Sequence, residues 1–205
     1  MTDSNDRRLG VNFYLNSDVC AVAKSLLGKV LVSDSEGVRS SGIIVETEAY
    51  SYLEKACHAY MNRNTNRTKV LFQTGGTAYV YLCYGIHKLL NVVTNQQGVA
   101  EAVLIRAIEP LEGVEKMIER RRFKTLNYNL TSGPGKVSQA LGITMRHNTM
   151  SLLGNDLWIE SNNSVSEKII ASPRIGVAYA EEDALLPWRF SFAQNKWVSK
   201  GNNSY

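Results

Sequence analysis

The spacing of apolar residues along this chain changes several times, and each change predicts a different element. Val19, Val22, Ala23, Leu26 and Leu27 recur at helical spacing. Asn16, Ser17 and Asp18 ahead of them offer capping side chains and Gly28 ends the run, so a first helix is expected there. Residues 29–33 read as a short strand and 34–41 as a polar turn. In 42–50 (GIIVETEAY) the period drops to two, which sets Ile44, Glu46, Glu48 and Tyr50 on one face and Ile43, Val45, Thr47 and Ala49 on the other.

Residues 51–76 are polar and aperiodic, with a short helix expected near 53–58. Residues 77–84, 89–94 and 101–108 then read as three antiparallel strands in meander, turned at Gly85 and at 96–98. Leu111, Val114, Met117 and Ile118 predict a helix over 111–122 with those side chains inward. A Ser-Gly-Pro-Gly-Lys turn at 132–136 opens a second short helix that runs to Leu141 and ends at Gly142. Later strands are expected at 157–160, 174–179 and 188–192. The alternation of strand runs with a few helices implies an α+β class: one domain over 1–205, a mainly antiparallel curved sheet flanked by several helices, and loose tails at 1–8 and 200–205.

Composition narrows the function classes. The chain has 205 residues, 44% hydrophobic and 20% charged, which suits one ordinary globular domain. No apolar run approaches the ~18 residues of a membrane span, and the polar N-terminus lacks the apolar core of a signal peptide, so a soluble intracellular protein is expected. Three cysteines, Cys20, Cys57 and Cys83, are widely spaced with no Cys-x-x-Cys pair, which argues against a disulfide framework or a zinc site. The net charge of +4 is mild. Its distribution says more: Arg120, Arg121, Arg122 and Lys124 form one run, and Arg63, Arg67 and Lys69 cluster in the long polar loop. Such runs fit either a phosphate track or a solvated face.

Arg106 is the first candidate for chemistry, because a guanidinium flanked by Leu104, Ile105, Ala107 and Ile108 needs a carboxylate partner. Glu46 and Glu48 are the available ones. The pattern fits a structural salt bridge, and equally a carboxylate and an arginine that hold a water between them for proton abstraction. Tyr50, Tyr79, Tyr81 and Tyr84, with His58 in the intervening loop, supply ring faces near these charges. Strand aromatics commonly build core, but they also stack bases, and cationic rings best of all. The turn before Lys136 could present backbone N–H groups to a phosphate, although it lacks the spacing of a nucleotide-triphosphate loop. The residues leave three classes open: a base-releasing enzyme, a metal-dependent nuclease built on Glu46 and Glu48, and a nucleic-acid binding module without catalysis.

Several segments together resemble one family. They are VETEAY at 45–50, GTAYVYLCYG at 76–85, Asn91, VLIRAIEPLEG at 103–113, SGPGKVSQALGI at 132–143, SPRIGV at 172–177 and PWRF at 187–190. In this order they are similar to the alkyladenine (3-methyladenine) DNA glycosylases of mammalian type, which also occur in bacteria, over about 9–198. The resemblance implies Glu48 as general base, with Arg106 and the backbone carbonyl of Ile175 holding the water. It implies Tyr50, His58 and Tyr81 around an extruded base, Asn91 against the 2-amino group of guanine, and Tyr84 as a wedge in the duplex; Lys136, from its turn before a helix, is expected on the DNA backbone. Glu46 is then structural. The implied partner is double-stranded DNA with damaged purines, met by a monomer without metal or other cofactor. The implied chemistry releases the base without cutting the strand, in base excision repair, in the cytoplasm at the nucleoid of a bacterium or in a eukaryotic nucleus. His87 and Lys88 after the wedge, and NRNTNRT at 62–68, depart from the pattern and bear on which lesions are accepted.

Overall fold

The computed structural model describes residues 7–35, 37–162 and 167–200. Four α-helices are present among them: α1 (Val11–Tyr14), α2 (Val19–Leu26), α3 (Val114–Arg120) and α4 (Pro134–Ala140). Eight strands form one sheet: β1 (Val30–Ser35), β2 (Val38–Ser51), β3 (Ala78–Cys83), β4 (His87–Val93), β5 (Glu101–Glu112), β6 (Leu157–Glu160), β7 (Ile169–Ser172) and β8 (Arg189–Phe192). The strand order is β3-β4-β5-β2-β1-β6, and each neighbouring pair in it is antiparallel. β8 pairs with the second half of β2 and carries β7 on its outer edge. The α+β class and the β3–β4–β5 meander are as the sequence predicts.

The two faces of the sheet are filled differently. Val45 and Ala49 of β2, Val80 of β3, Leu90 and Val92 of β4 and Val103 and Ile105 of β5 join the main core with α2 and α4. α2 starts where expected, with the Asp18 side chain accepting from the Ala21 N–H at 3.0 Å. The opposite face carries Tyr79, Tyr81, Ala102 and Tyr50, packed under Cys57, Val70 and Leu71 of the long loop. That second layer is thin, and it is where the cleft opens.

Several expectations give way to tertiary context. Residues 53–58 form turns and no helix; short 3₁₀ turns at Tyr60–Asn62 and Lys69–Phe72 give the loop its shape. Leu111 lies on β5 and is exposed, because that strand continues to Glu112 and α3 begins only after Gly113, which has a left-handed φ of 67°. Residues 174–179 form no strand: Pro173 and Gly176 bracket an irregular segment, and the strand of this region is β7, upstream of it. Ile44 joins Val45 in the main core instead of sharing a face with Glu46, since a β-bulge intervenes. The backbone of Arg7 and Arg8 is tied down and not loose: Arg8 forms an antiparallel β-bridge with Glu160, and the Arg7 carbonyl accepts from the Ser161 N–H. The rest of the expected N-terminal tail, and 201–205 of the C-terminal one, lie outside the described residues.

Candidate active site

The bulge sets the charged floor of the site. Between the pairs Ile44↔Ile108 and Thr47↔Ile105 the register shifts twice, leaving first Val45 on β2 and then Arg106 on β5 without a partner. Such an irregularity twists the strands and re-aims side chains. At this irregularity Arg106 lies between both glutamates. Its Nε lies 3.2 Å from Glu46 Oε1 and its Nη1 3.2 Å from Glu48 Oε1. Burial works against the Arg106 charge, and Glu48 and then Glu46 more than offset it, so its pKa is raised. The choice between the two glutamates that the sequence left open is resolved as a shared pair.

Their remaining partners separate the two carboxylates. Glu46 also accepts from Arg189 Nη1 at 3.1 Å and from the Ser199 N–H at 2.8 Å, all on the side of β8 and the C-terminal segment. Glu48 Oε1 accepts from the Ile175 N–H at 2.8 Å, and Oε2 from the Tyr50 hydroxyl at 2.8 Å. It is thus the Ile175 N–H that touches the carboxylate. Oε1 has two donors and Oε2 only one, so Oε2 keeps a free acceptor direction. Tyr50, Arg106 and Ile175 all line a cleft of about 1270 Å³. Glu48 lies behind these lining residues and exposes no surface itself.

Aromatic side chains build the wall. Tyr79 and Tyr81 alternate with the core residues of β3 and stack on each other, centroids 5.3 Å apart at 28°. His58 meets Tyr81 edge-on at 4.7 Å, and its Nδ1 lies 2.9 Å from the Tyr79 hydroxyl. Burial, then the neighbouring Arg67, lowers the His58 pKa to about 4, so the ring is neutral at pH 7. Burial also raises the Tyr50 pKa, and Glu48 adds to this, which keeps the hydroxyl a donor. Asn91 on β4 donates from Nδ2 to the Tyr79 carbonyl at 3.3 Å and faces the same cleft.

The mouth carries the remaining predicted residues. Tyr84 tips the β3–β4 hairpin with 86% of its surface exposed, beside the exposed Ile86. Lys136 lies on the wall formed by α4 and donates to Asn129 Oδ1; burial and then Arg121 lower its pKa. Much of the basic run does structural work. Arg120 donates to the Ser35 and Ala140 carbonyls at 3.2 Å, and Arg121 to the Leu130 carbonyl at 3.1 Å. Among the described residues no group of three or more His, Cys, Asp or Glu is placed to hold a metal ion.

Sequence reasoning missed Arg174. Its guanidinium forks onto Glu54 at 2.8 and 2.7 Å, reaches the Ala49 carbonyl at 2.9 Å, and lies 4.8 Å from the Tyr50 ring centre. It therefore braces the Tyr50 ring and the chain that carries the Ile175 N–H. The signal was a charge inside the apolar SPRIGV segment, the same signal that singled out Arg106.

A single α+β domain holds, on its antiparallel sheet, an aromatic-walled cleft over a paired carboxylate and guanidinium, a lining whose shape and chemistry suit a flat ring. The comparisons supply the family. The model for methylpurine-DNA glycosylases matches residues 12–196, and the chain belongs to that family. It is 51% identical over 181 residues to a Chlamydia felis protein named as a 3-methyladenine DNA glycosylase, spanning 87% of this chain and 93% of the relative. A Clostridium acetobutylicum protein of the same designation is 46% identical over 194 residues, or 91% and 95% of the two chains.

Proposed function

We propose that this protein is a DNA-repair glycosylase that extrudes damaged purines from duplex DNA and hydrolyses their N-glycosidic bond. The observation that carries this reading is the Glu48 carboxylate, held by Arg106, Tyr50 and the Ile175 N–H directly under an aromatic cleft. A base inside a duplex is out of reach, so it must leave the stack, at a cost of a few kcal/mol that is least for damaged or mispaired bases. Tyr84 fills the gap, Tyr50, His58 and Tyr81 hold the extruded ring, and Asn91 crowds the 2-amino group of an undamaged guanine. Lys136 serves the DNA backbone.

Water held between Glu48, Arg106 and the Ile175 carbonyl attacks the sugar carbon from the face opposite the base. Its proton passes to Glu48, and the C–N bond breaks with its electron pair going to the purine. An alkylated purine leaves neutral; an uncharged lesion leaves as an anion and is protonated by solvent. Entry of the base must draw the Tyr50 hydroxyl aside or bring water to the free side of Oε2, since Glu48 exposes no surface without it. That same burial favours the rival reading, a damage-binding module without catalysis. Loss of base release in Glu48→Gln by at least ~100-fold, with binding to damaged duplex retained, is the expected result. Wild-type protein that binds damaged duplex and releases nothing establishes the rival. The DNA strand stays intact in the same reaction; scission would remove the hydrolytic, monofunctional scheme and point to an amine nucleophile.

A further inference from the structure

The loop at 62–68 contributes one side chain that neither the catalytic scheme nor the family assignment uses. Arg67 reaches back from this exposed segment to the aromatic wall. Its guanidinium carbon lies 5.1 Å from the Tyr81 ring centre, and its Nη2 lies 3.4 Å from His58 Nε2. It also faces the cleft with Tyr50, Tyr81 and Asn91. A permanent positive charge thus rests on two of the rings that, in the reading above, hold the base. Because His58 is neutral at pH 7, this charge is not doubled by an imidazolium.

We infer that Arg67 sets lesion preference, favouring uncharged purine lesions over cationic alkylpurines; the inference rests on the glycosylase reading of the site. Two effects act in the same direction. A purine methylated at N7 or N3 brings its own positive charge to a ring whose electron-rich face already serves a guanidinium, so the cation–π gain is shared and the like charges repel. An uncharged purine with a ring or carbonyl acceptor meets donors instead. As its glycosidic bond breaks, the electron pair moves onto the base, and a fixed guanidinium beside it stabilises the developing negative charge. The cationic base ends that step neutral; relief of its repulsion from Arg67 only returns what binding cost, so relative to the free lesion it gains nothing from the same group.

The test compares single-turnover kcat/KM on duplexes carrying 7-methylguanine, a cationic lesion, and hypoxanthine, an uncharged one. In Arg67→Ala and Arg67→Gln the ratio of 7-methylguanine to hypoxanthine release rises at least about 4-fold, the effect of one unit charge ~5 Å away in a water-like dielectric. In Arg67→Lys, which keeps the charge, the ratio stays within about 2-fold of wild type. A guanidinium that merely contacts DNA phosphate, or merely props the loop, lowers both rates together, and an unchanged ratio in the two neutral variants overturns the inference. Wild-type protein that releases neither base overturns the glycosylase reading itself, a different result from an unchanged ratio.

Discussion

Burial and the Arg67 charge bring the His58 imidazole down to about 4, well below the ordinary value of 6.5. The sign of the consequence is fixed by linkage. In the unfolded chain this ring takes a proton near pH 6.5, whereas in the folded protein it resists until about pH 4. Its contribution to stability is therefore complete above pH 6.5 and is lost as the pH falls through that interval. Wild-type melting temperature should drop more steeply between pH 6.5 and 4 than that of His58→Gln; parallel curves for the two proteins would show that the ring is not held neutral. Across the neutral range the ring keeps one charge state, so it offers a base the same surface throughout. Glu46 and Glu48 make a similar point. They are two residues apart and share Arg106, but one faces β8 and the chain end while the other faces the cleft.

At the scale of elements, the β3–β4 hairpin carries the clearest conflict between fold and use. Tyr84 and Gly85 both have left-handed φ, 49° and 74°, and the Ile86 N–H closes the turn on the Cys83 carbonyl at 3.2 Å. Consecutive left-handed positions favour Asn and Gly, and a bulky aromatic there costs stability. A ring both strained in its backbone and 86% exposed contributes little to the fold. Tyr84→Asn should melt at or above the wild-type temperature while binding damaged duplex at least ~10-fold more weakly, the scale of one lost stacking contact. Early melting would instead make Tyr84 a packing residue. The bulge between β2 and β5 is the second decisive element, because an unbroken register would have kept Ile44 on the face of the glutamates and out of the main core.

At the scale of the molecule, the site is assembled from segments far apart in the chain. β2 and β5 supply the charges, the 52–76 loop supplies His58, the segment after β7 supplies Ile175, and Ser199 closes the far side. Ser199 lies beyond the 12–196 stretch matched by the family model, yet its N–H satisfies Glu46 Oε2 and its Oγ accepts from Arg106 Nη2 at 3.4 Å. Deleting the chain after Lys196 leaves a buried carboxylate oxygen without this donor. The expected cost is about 1–3 kcal/mol of stability, read as a lower urea midpoint, with base release falling alongside. An unchanged midpoint would show that solvent or another group replaces Ser199.

Much of this was legible in the sequence because it depends on local order. The apolar period gave α2, the meander and the placing of Glu46, Glu48 and Tyr50 on one face, and a guanidinium in an apolar strand demanded the carboxylates that flank it. Motif order brought the family into view, with His58, Tyr81, Asn91 and Ile175 all found around one cleft. Local order could not show that Val45 and Arg106 fall out of register, that Arg174 braces Tyr50, or that Arg67 folds back onto Tyr81. Nor could it show that Leu111 extends a strand before a helix begins. Those outcomes depend on which side chains meet between separate segments of the chain, where strand pairing, the pairing of buried charge and the filling of space are settled together, and only the folded molecule contains that information.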